Sequence, residues 1–243
     1  MSDVTAPSEP ALDAMPLIDH RGVSWCNVRE THYWLHKRFH YAYPGPIREL
    51  RQRLVVVPPE RHGDQVLVSH TARVLGPQAL ETLSTDEFGN HVLQFYIPEA
   101  PGELAFEVTL EVARLGYPAI LPEADATQAD LFRAETALTA ADTRIAGIAR
   151  TLAGQHADPL ALAEAINIYV SETMRYGWGI THVGTSAAEA LALGQGLCQD
   201  YAHIMLAICR AAGLPARYVS GHLLGEGGSH AWVEALLPRD DGS

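Results

Sequence analysis

The chain has 243 residues, of which 47% are hydrophobic and 19% charged, a composition that suits one large or two small globular domains. The formal net charge of −12 argues against binding nucleic acid, because phosphate contacts need clustered lysine and arginine. No apolar run approaches the roughly 20 residues that cross a bilayer, and the N-terminus lacks the basic start and apolar stretch of a secretory signal. We therefore expect neither nucleic-acid nor membrane partners.

Three cysteines, Cys26, Cys198 and Cys209, do not make a disulfide framework. On one helix Cys198 and Cys209 would lie about 16 Å apart along the axis, whereas a disulfide needs Cα atoms within about 7 Å. Free thiols indicate a reducing compartment, so we expect a cytoplasmic protein.

The N-terminal half has the pattern of a strand-rich domain. Residues 1–20 are rich in proline, serine and acidic residues and should form a disordered tail. Between residues 21 and 117, short alternating segments separated by turns predict a β-sandwich. The expected strands are 31–43, 50–57, 65–75, 91–97 and 103–112, with a turn at 86–90 in which glycine and asparagine supply positive φ.

Four histidines of this half, at positions 32, 36, 40 and 70, suggest a possible metal site. A spacing of four keeps strand side chains on one face but far apart, and the pattern offers no cysteine or acidic partner. We interpret these histidines as a solvated strand face and predict no metal there.

The C-terminal half, residues 118–243, predicts helices first and strands after, which is an α+β order. Asp158-Pro159 has the form of a helix start, and Ser186 with Glu189 has capping-box spacing. Helices are expected at 128–138, 140–153, 159–174 and 186–194, and strands at 216–224 and 231–237.

A further helix, expected from Cys198 to Ala212, should organise this half. It is apolar almost all round and therefore belongs in a core. Gln199, His203 and Arg210 make only a narrow polar stripe.

Cys198 is the candidate nucleophile. The positive end of a helix dipole stabilises a thiolate in the first turn, and Gly194 and Gly196 would let a substrate backbone come close. The alternative is a small buried hydrophobe, which is our interpretation of Cys209 in the middle of the helix. His230, at the start of the strand segment SHAWVEALL, is the base that such a thiol needs.

The segment GQGLCQDYAHIMLAICRAAGLPARYVSGHL followed by SHAWVEALLP resembles the transglutaminase-like superfamily, in the branch of proposed bacterial cysteine proteases. The resemblance covers about residues 160–238, and residues 30–112 resemble the β-rich domain that precedes the core in that branch. It implies a papain-like α+β core without a cofactor or metal.

The resemblance also implies acyl transfer on a peptide or protein amide. Cys198 would attack the carbonyl, His230 would move the proton, and the Cys198 backbone N–H would stabilise the oxyanion, with Gln195 as a weak candidate for a second donor. Hydrolysis and transfer to an amine both remain open, and the branch favours hydrolysis. Trp232 is expected in the core, and Asp200 is expected to be structural.

The family supplies an aspartate, on the strand after the histidine strand, that orients the imidazole. A hairpin turning near residue 240 would put that position near residue 250, so we expect the aspartate to be missing and turnover to be low. Asp240 and Asp241 are expected to be turn residues. The rival reading is a binding module with a catalytically idle core, against which the presence of both Cys198 and His230 counts.

Overall fold

The computed structural model describes residues 20–116, 123–223 and 229–238. The chain divides into two compact units, Met1–Glu123 and Ala124–Ser243, each with its own core of buried side chains. The division follows Glu123, where the sequence predicted a boundary after residue 117. The expected tail up to residue 19 and the turn containing Asp240 and Asp241 lie outside the described residues.

The first unit is built from antiparallel strands in two sheets. One sheet has the strand order β1-β7-β4-β3 and the other β2-β6-β5. The strands are β1 (Glu30–Ala42), β2 (Ile47–Leu54), β3 (Arg61–His62), β4 (Gln65–Leu75), β5 (Leu80–Thr85), β6 (His91–Ala100) and β7 (Glu103–Leu115).

Both sheets contribute side chains to one core. Phe95 of β6 and Phe106 of β7 are buried with their ring centroids 5.2 Å apart. Along β7, even-numbered residues such as Phe106 and Val108 are buried, while Glu107 and Thr109 between them are partly exposed, because successive side chains of a strand point to opposite faces. The unit is strand-rich as predicted, and a sandwich remains a prediction.

Strand β5 is missing from the predicted strands; it lies at the edge of its sheet and is exposed along its whole length. The predicted turn at 86–90 is present, but only Gly89 has a positive φ, of 81°. Asn90 instead donates from its backbone N–H to the Asp86 carboxylate, which also accepts from the Phe88 N–H. Asn90 therefore closes the turn by a backbone hydrogen bond to the Asp86 side chain and not by a positive φ.

The histidine face of β1 does have acidic partners, and the expectation that it had none was wrong. The two ring nitrogens of His32 lie 2.9 Å from carboxylate oxygens of Glu30 and Glu111. Glu107 and Glu103 of β7 approach the next two histidines of β1, at 3.8 and 4.0 Å. Apart from Glu30 these partners come from β7, far along the chain, so sequence spacing could not show them. Within the described ranges no three His, Cys, Asp or Glu residues are grouped to hold a metal ion.

Among its described residues, the second unit contains five helices, a parallel pair of two-residue strands between them, and two antiparallel strands after them. The bounds are α1 (Ala126–Arg133), α2 (Thr143–Gln155), α3 (Pro159–Thr173), β8 (Arg175–Tyr176), α4 (Ala187–Leu193), β9 (Gln195–Gly196), α5 (Cys198–Ala211), β10 (Ala216–His222) and β11 (Ser229–Ala235). Of the helices that the structure describes, none is long and apolar enough to cross a membrane.

Local capping explains most of these helix bounds. Asp158 accepts from the N–H of Ala161 at the start of α3, and Ser186 accepts from the N–H of Glu189 at the start of α4. Helix α1 ends earlier than the predicted residue 138, because Thr136 and Thr139 hydrogen-bond each other in a separate turn.

Helix α5 lies at the centre of this unit, packed against the other helices and against β10 and β11. Ile204, Leu206 and Ile208 are fully buried, as the apolar sequence predicted. In its polar stripe His203 is buried, while Gln199 and Arg210 are half-buried. The Arg210 guanidinium donates to the Phe132 carbonyl, the Thr139 hydroxyl and the Ala216 carbonyl. The arginine therefore ties α5 to the segments around it.

Candidate active site

Cys198 is the first residue of α5 and is partly exposed. The first N–H groups of a helix have no partner within the helix, and the macrodipole is positive there, so both favour an anion. Cys209 is fully buried in the same helix, and burial raises the pKa of its thiol to about 12. Cys26 is exposed in the first unit, with its sulfur 3.3 Å from the Ser24 hydroxyl. The three thiols therefore differ sharply in environment.

The two glycines before Cys198 serve the fold. Gly194 ends α4 with a φ of 65°, in the left-handed region that glycine adopts at little cost. A Cβ added to Gly196 would lie 2.5 Å from a carboxylate oxygen of Asp200. Room for that carboxylate, rather than for a substrate, is what the structure shows at Gly196.

Asp200 braces the turn that presents Cys198. Its side chain is fully buried, and its Oδ2 accepts from the Leu197 N–H and from the Thr181 hydroxyl, each at 2.7 Å. Its Oδ1 is buried without a hydrogen-bond partner among the described residues. The structural role expected for Asp200 is therefore seen, and its burial and its link to Thr181 are new.

Tyr218 is a residue that sequence reasoning missed. It lies on β10, with its ring centroid 5.6 Å from that of His203 on α5. Partial burial raises the pKa of the Tyr218 phenol, and the charges of Cys198 and Asp200 raise it further. The phenol therefore lies within electrostatic range of the candidate nucleophile. Only the contact between β10 and α5 could reveal this.

His203 lies inside this group. Burial lowers the pKa of its imidazole, and this shift is opposed by a hydrogen bond to the Thr185 backbone and by the charge of Asp200. The His203 Nδ1 is buried without a hydrogen-bond partner in the part of the chain that is described. A neutral imidazole on the second turn of α5 follows from this burial.

His230 is the second residue of β11 and pairs with Gly221 of β10. Val233 and Ala235 pack against the core, so strand alternation places His230 on the other face, beside Trp232 at 6.4 Å between ring centroids. Among the described residues there is no hydrogen bond between the Cys198 thiol and His230, and His230 donates to no carboxylate. The structure brings both residues into one unit, on two elements that pack together, without a hydrogen bond between them.

The structure also shows the surroundings of Trp232 and Gln195. Trp232, expected in the core, is 38% exposed, and a Cβ on Gly221 would overlap its indole. The Gln195 side chain, the weak candidate for a second oxyanion donor, lies against Gly177, where a Cβ would overlap its amide.

Two family models match this chain. Residues 146–242 match the transglutaminase-like superfamily, and residues 33–113 match the bacterial transglutaminase-like N-terminal region. Together the two matches cover most of the chain, and its residues 146–242 belong to the transglutaminase-like superfamily. The resemblance drawn from the sequence is thereby confirmed, with a core match that begins before residue 160.

The curated relatives are longer proteins. An uncharacterised protein of Mycobacterium leprae is 37% identical over 110 residues, which are 41% of this chain and 39% of that protein. An uncharacterised protein of Mycobacterium tuberculosis is 36% identical over 89 residues, which are 32% of this chain and 28% of that protein. The matched part thus spans less than half the length of these relatives.

A solved structure shares the fold. The crystal structure of a proposed cysteine protease from Cytophaga hutchinsonii superimposes with a TM-score of 0.68 at 17% identity, covering 85% of this chain and 74% of that one. At this identity the likeness establishes a shared fold alone and leaves the chemistry to be argued from the residues.

Proposed function

We propose that this transglutaminase-like protein is a thiol-dependent enzyme that hydrolyses amide bonds of peptides or proteins, with Cys198 as nucleophile and His230 as base. The observation that carries the proposal is the position of Cys198, partly exposed at the first residue of a buried helix. The start of a helix is where unpaired backbone N–H groups favour an anion. The fully buried Cys209, with a pKa of about 12, is protonated at neutral pH and cannot compete.

The proposed reaction has two acyl-transfer steps. The Cys198 sulfur attacks the carbonyl carbon, a C–S bond forms, and the backbone N–H at the start of α5 donates to the oxyanion. The thiol proton passes through His230 to the leaving amine as the C–N bond breaks. Water then attacks the thioester, His230 takes its proton, and the carboxylic acid and the thiol are released.

The assignment of His230 is supported by the family order of a cysteine helix, two strands and a His-Ala-Trp segment, rather than by a contact. A histidine base usually has an orienting group, and within the described ranges Glu234 of the same strand is instead paired with Arg217, at 2.5 Å. We propose that an aspartate outside the described residues orients the His230 imidazole. Slow turnover by residues 1–243 and faster turnover by a chain longer by some 20 to 30 residues would support this.

A short pulse of iodoacetamide at neutral pH, followed by mass spectrometry, tests the nucleophile. Cys198 should be alkylated faster than Cys26, and Cys209 should be labelled only after unfolding. His230→Ala should slow labelling of Cys198, whereas His156→Ala, in the same unit at the end of α2, should leave the rate unchanged.

Equal labelling of Cys198 and Cys26 would overturn Cys198 as nucleophile. An unchanged rate in His230→Ala would overturn the base alone. Peptide products analysed with and without a primary amine separate hydrolysis from amine transfer, because the amine adds its mass to the acyl product.

We also propose a reducing compartment, the cytoplasm, because all three cysteines are free thiols. Cell fractionation of the full-length protein tests this placement.

A further inference from the structure

The segment 176–183, which we name the apolar loop, exposes an unusual number of large hydrophobic side chains. Trp178 and Val183 are 78% and 83% exposed. Four of the fifteen exposed large hydrophobics among the described residues fall within these eight positions: Tyr176, Trp178, Ile180 and Val183. Contiguous exposed apolar surface on a soluble unit commonly marks a binding site.

Hydrogen bonds fix the apolar loop to the segment that presents Cys198. At its start, the Gly177 N–H donates to the Gly196 carbonyl at 3.0 Å. Near its end, the Thr181 hydroxyl donates to Asp200 at 2.7 Å. The Gln199 amide, from the residue after Cys198, donates to the His182 carbonyl at 3.1 Å. Residues on both sides of Cys198 therefore hold the loop.

These contacts limit the distance between the Cα atoms of Trp178 and Cys198. Trp178 follows Gly177 by one residue, and Cys198 follows Gly196 by two. With about 3.5 Å per residue and about 4.8 Å between paired strands, the Cα atoms of Trp178 and Cys198 lie no more than about 16 Å apart. An extended peptide covers that distance in four to five residues.

The apolar loop is also held in shape. The His182 N–H donates to the Thr185 hydroxyl at 2.9 Å, and the Thr185 N–H donates back to the His182 carbonyl at 2.9 Å. A side chain presented by a braced loop loses little conformational freedom on binding, which favours affinity. This rigidity, together with the exposure of Trp178, is typical of a preformed recognition surface.

The charge of this region selects the class of ligand. Residues 174–188 contain no aspartate or glutamate, although the chain has a net charge of −12. A positively charged substrate side chain would find no carboxylate within this stretch of sequence. A large apolar side chain would bury the indole and the neighbouring aliphatic groups, which is favourable in proportion to the area removed from water.

We infer that the apolar loop is the substrate-selecting surface of the enzyme, and that it binds a bulky apolar side chain within four residues of the attacked carbonyl, on its acyl side. The acyl side is chosen because this portion remains attached to Cys198 after the amine has left, whether water or an amine follows. This inference rests on the proposed function, since the surface has a substrate to select only if Cys198 reacts.

Tetrapeptidyl chloromethyl ketones test the inference without requiring turnover, because the Cys198 thiolate displaces chloride and forms a stable C–S bond. Each of the four positions carries phenylalanine in one probe and asparagine in its match, with alanine elsewhere. At one position or more, the phenylalanine probe should label Cys198 at least tenfold faster. In Trp178→Ala this ratio should fall to below threefold, and Trp178→Phe should restore most of it.

Leu160→Ala is the matched control, because Leu160 is also an exposed apolar residue. It lies near the start of α3, about 20 Å along that helix from the end that precedes the apolar loop. This substitution should leave the ratio unchanged. Trp178 is mostly exposed, so its replacement should not unfold the unit. Iodoacetamide, which is too small to reach the apolar loop, should label Cys198 equally fast in all variants.

The outcomes separate the two proposals. If iodoacetamide labels Cys198 no faster than Cys26 in the unmodified chain, the assignment of Cys198 as the nucleophile is overturned. Normal iodoacetamide labelling with no preference for phenylalanine, or with a preference that survives in Trp178→Ala, would overturn the selecting surface alone. Sedimentation showing a dimer that Trp178→Ala dissociates, with the probe ratio unaltered, would assign the surface to a second copy and also overturn the inference.

Discussion

Replacing Asp200 by alanine should remove the brace beneath Cys198. The substitution abolishes two hydrogen bonds of 2.7 Å, from the Leu197 N–H and the Thr181 hydroxyl, in a place where the carboxyl group is fully buried. A hydrogen bond to a charged group contributes about 1.5 to 3 kcal/mol, and donors left unpaired add to the loss. We therefore expect the free energy of unfolding of the second unit to fall by about 3 to 5 kcal/mol.

Urea unfolding followed by the far-ultraviolet helical signal measures this loss, because the α-helices of the described residues all lie in the second unit. Asp158→Ala is the matched control: it removes an exposed carboxylate that accepts from one backbone N–H at the start of α3, at a cost of about 1 kcal/mol. Thr181→Val should lie between the two, and the double substitution with Asp200→Ala should cost less than the sum.

An Asp200→Ala chain that unfolds at the same urea concentration as Asp158→Ala would refute this account of the brace. Additive losses for Asp200→Ala and Thr181→Val would show that the 2.7 Å contact between these residues contributes nothing to stability.

Two further predictions concern single contacts. The carboxylates beside His32, Glu111 first, raise the pKa of its imidazole. The stabilisation that they give the folded state is therefore complete below the ordinary pKa of about 6.5 and is lost as pH rises through the raised pKa. A proton NMR titration should show a lower His32 pKa in Glu111→Gln, and an unchanged pKa would contradict this. Gly196→Ala should destabilise the second unit by about 1 to 3 kcal/mol, because the added Cβ would lie 2.5 Å from Asp200. Gly147→Ala on α2 is the control: its added Cβ would meet nothing within 4 Å, so it should be neutral or stabilising. Equal effects of the two substitutions on the free energy of unfolding would count against the overlap.

Local chemistry made much of the second unit predictable. Helix α3 begins where Asp158 and Pro159 cap it, and α5 begins at Cys198, as the preceding glycines indicated. Such signals act between neighbouring residues, so they can be seen in the sequence itself. The same holds for the middle of strand β7, from Phe106 to Leu110, where buried and partly exposed positions alternate.

Contacts between distant segments were not predictable in this way. Glu111 reaches His32 from 79 residues away, and Thr181 reaches Asp200 across 19. The edge strand β5 is exposed throughout and therefore has no buried face to mark it. Each of these features depends on which elements become neighbours, and spacing along the chain does not record that.

The features of the candidate site also divide into those that local sequence determines and those that tertiary packing determines. The sequence by itself determined that Cys198 opens a buried helix and that His230 lies on a following strand, because helix caps, glycines and alternation are local signals. Only the tertiary structure decided that Asp200 is buried beneath that cysteine, that Tyr218 lies within its electrostatic range, and that the apolar loop is fixed beside it. These are consequences of packing, in which side chains from separate elements meet and lose their contact with water.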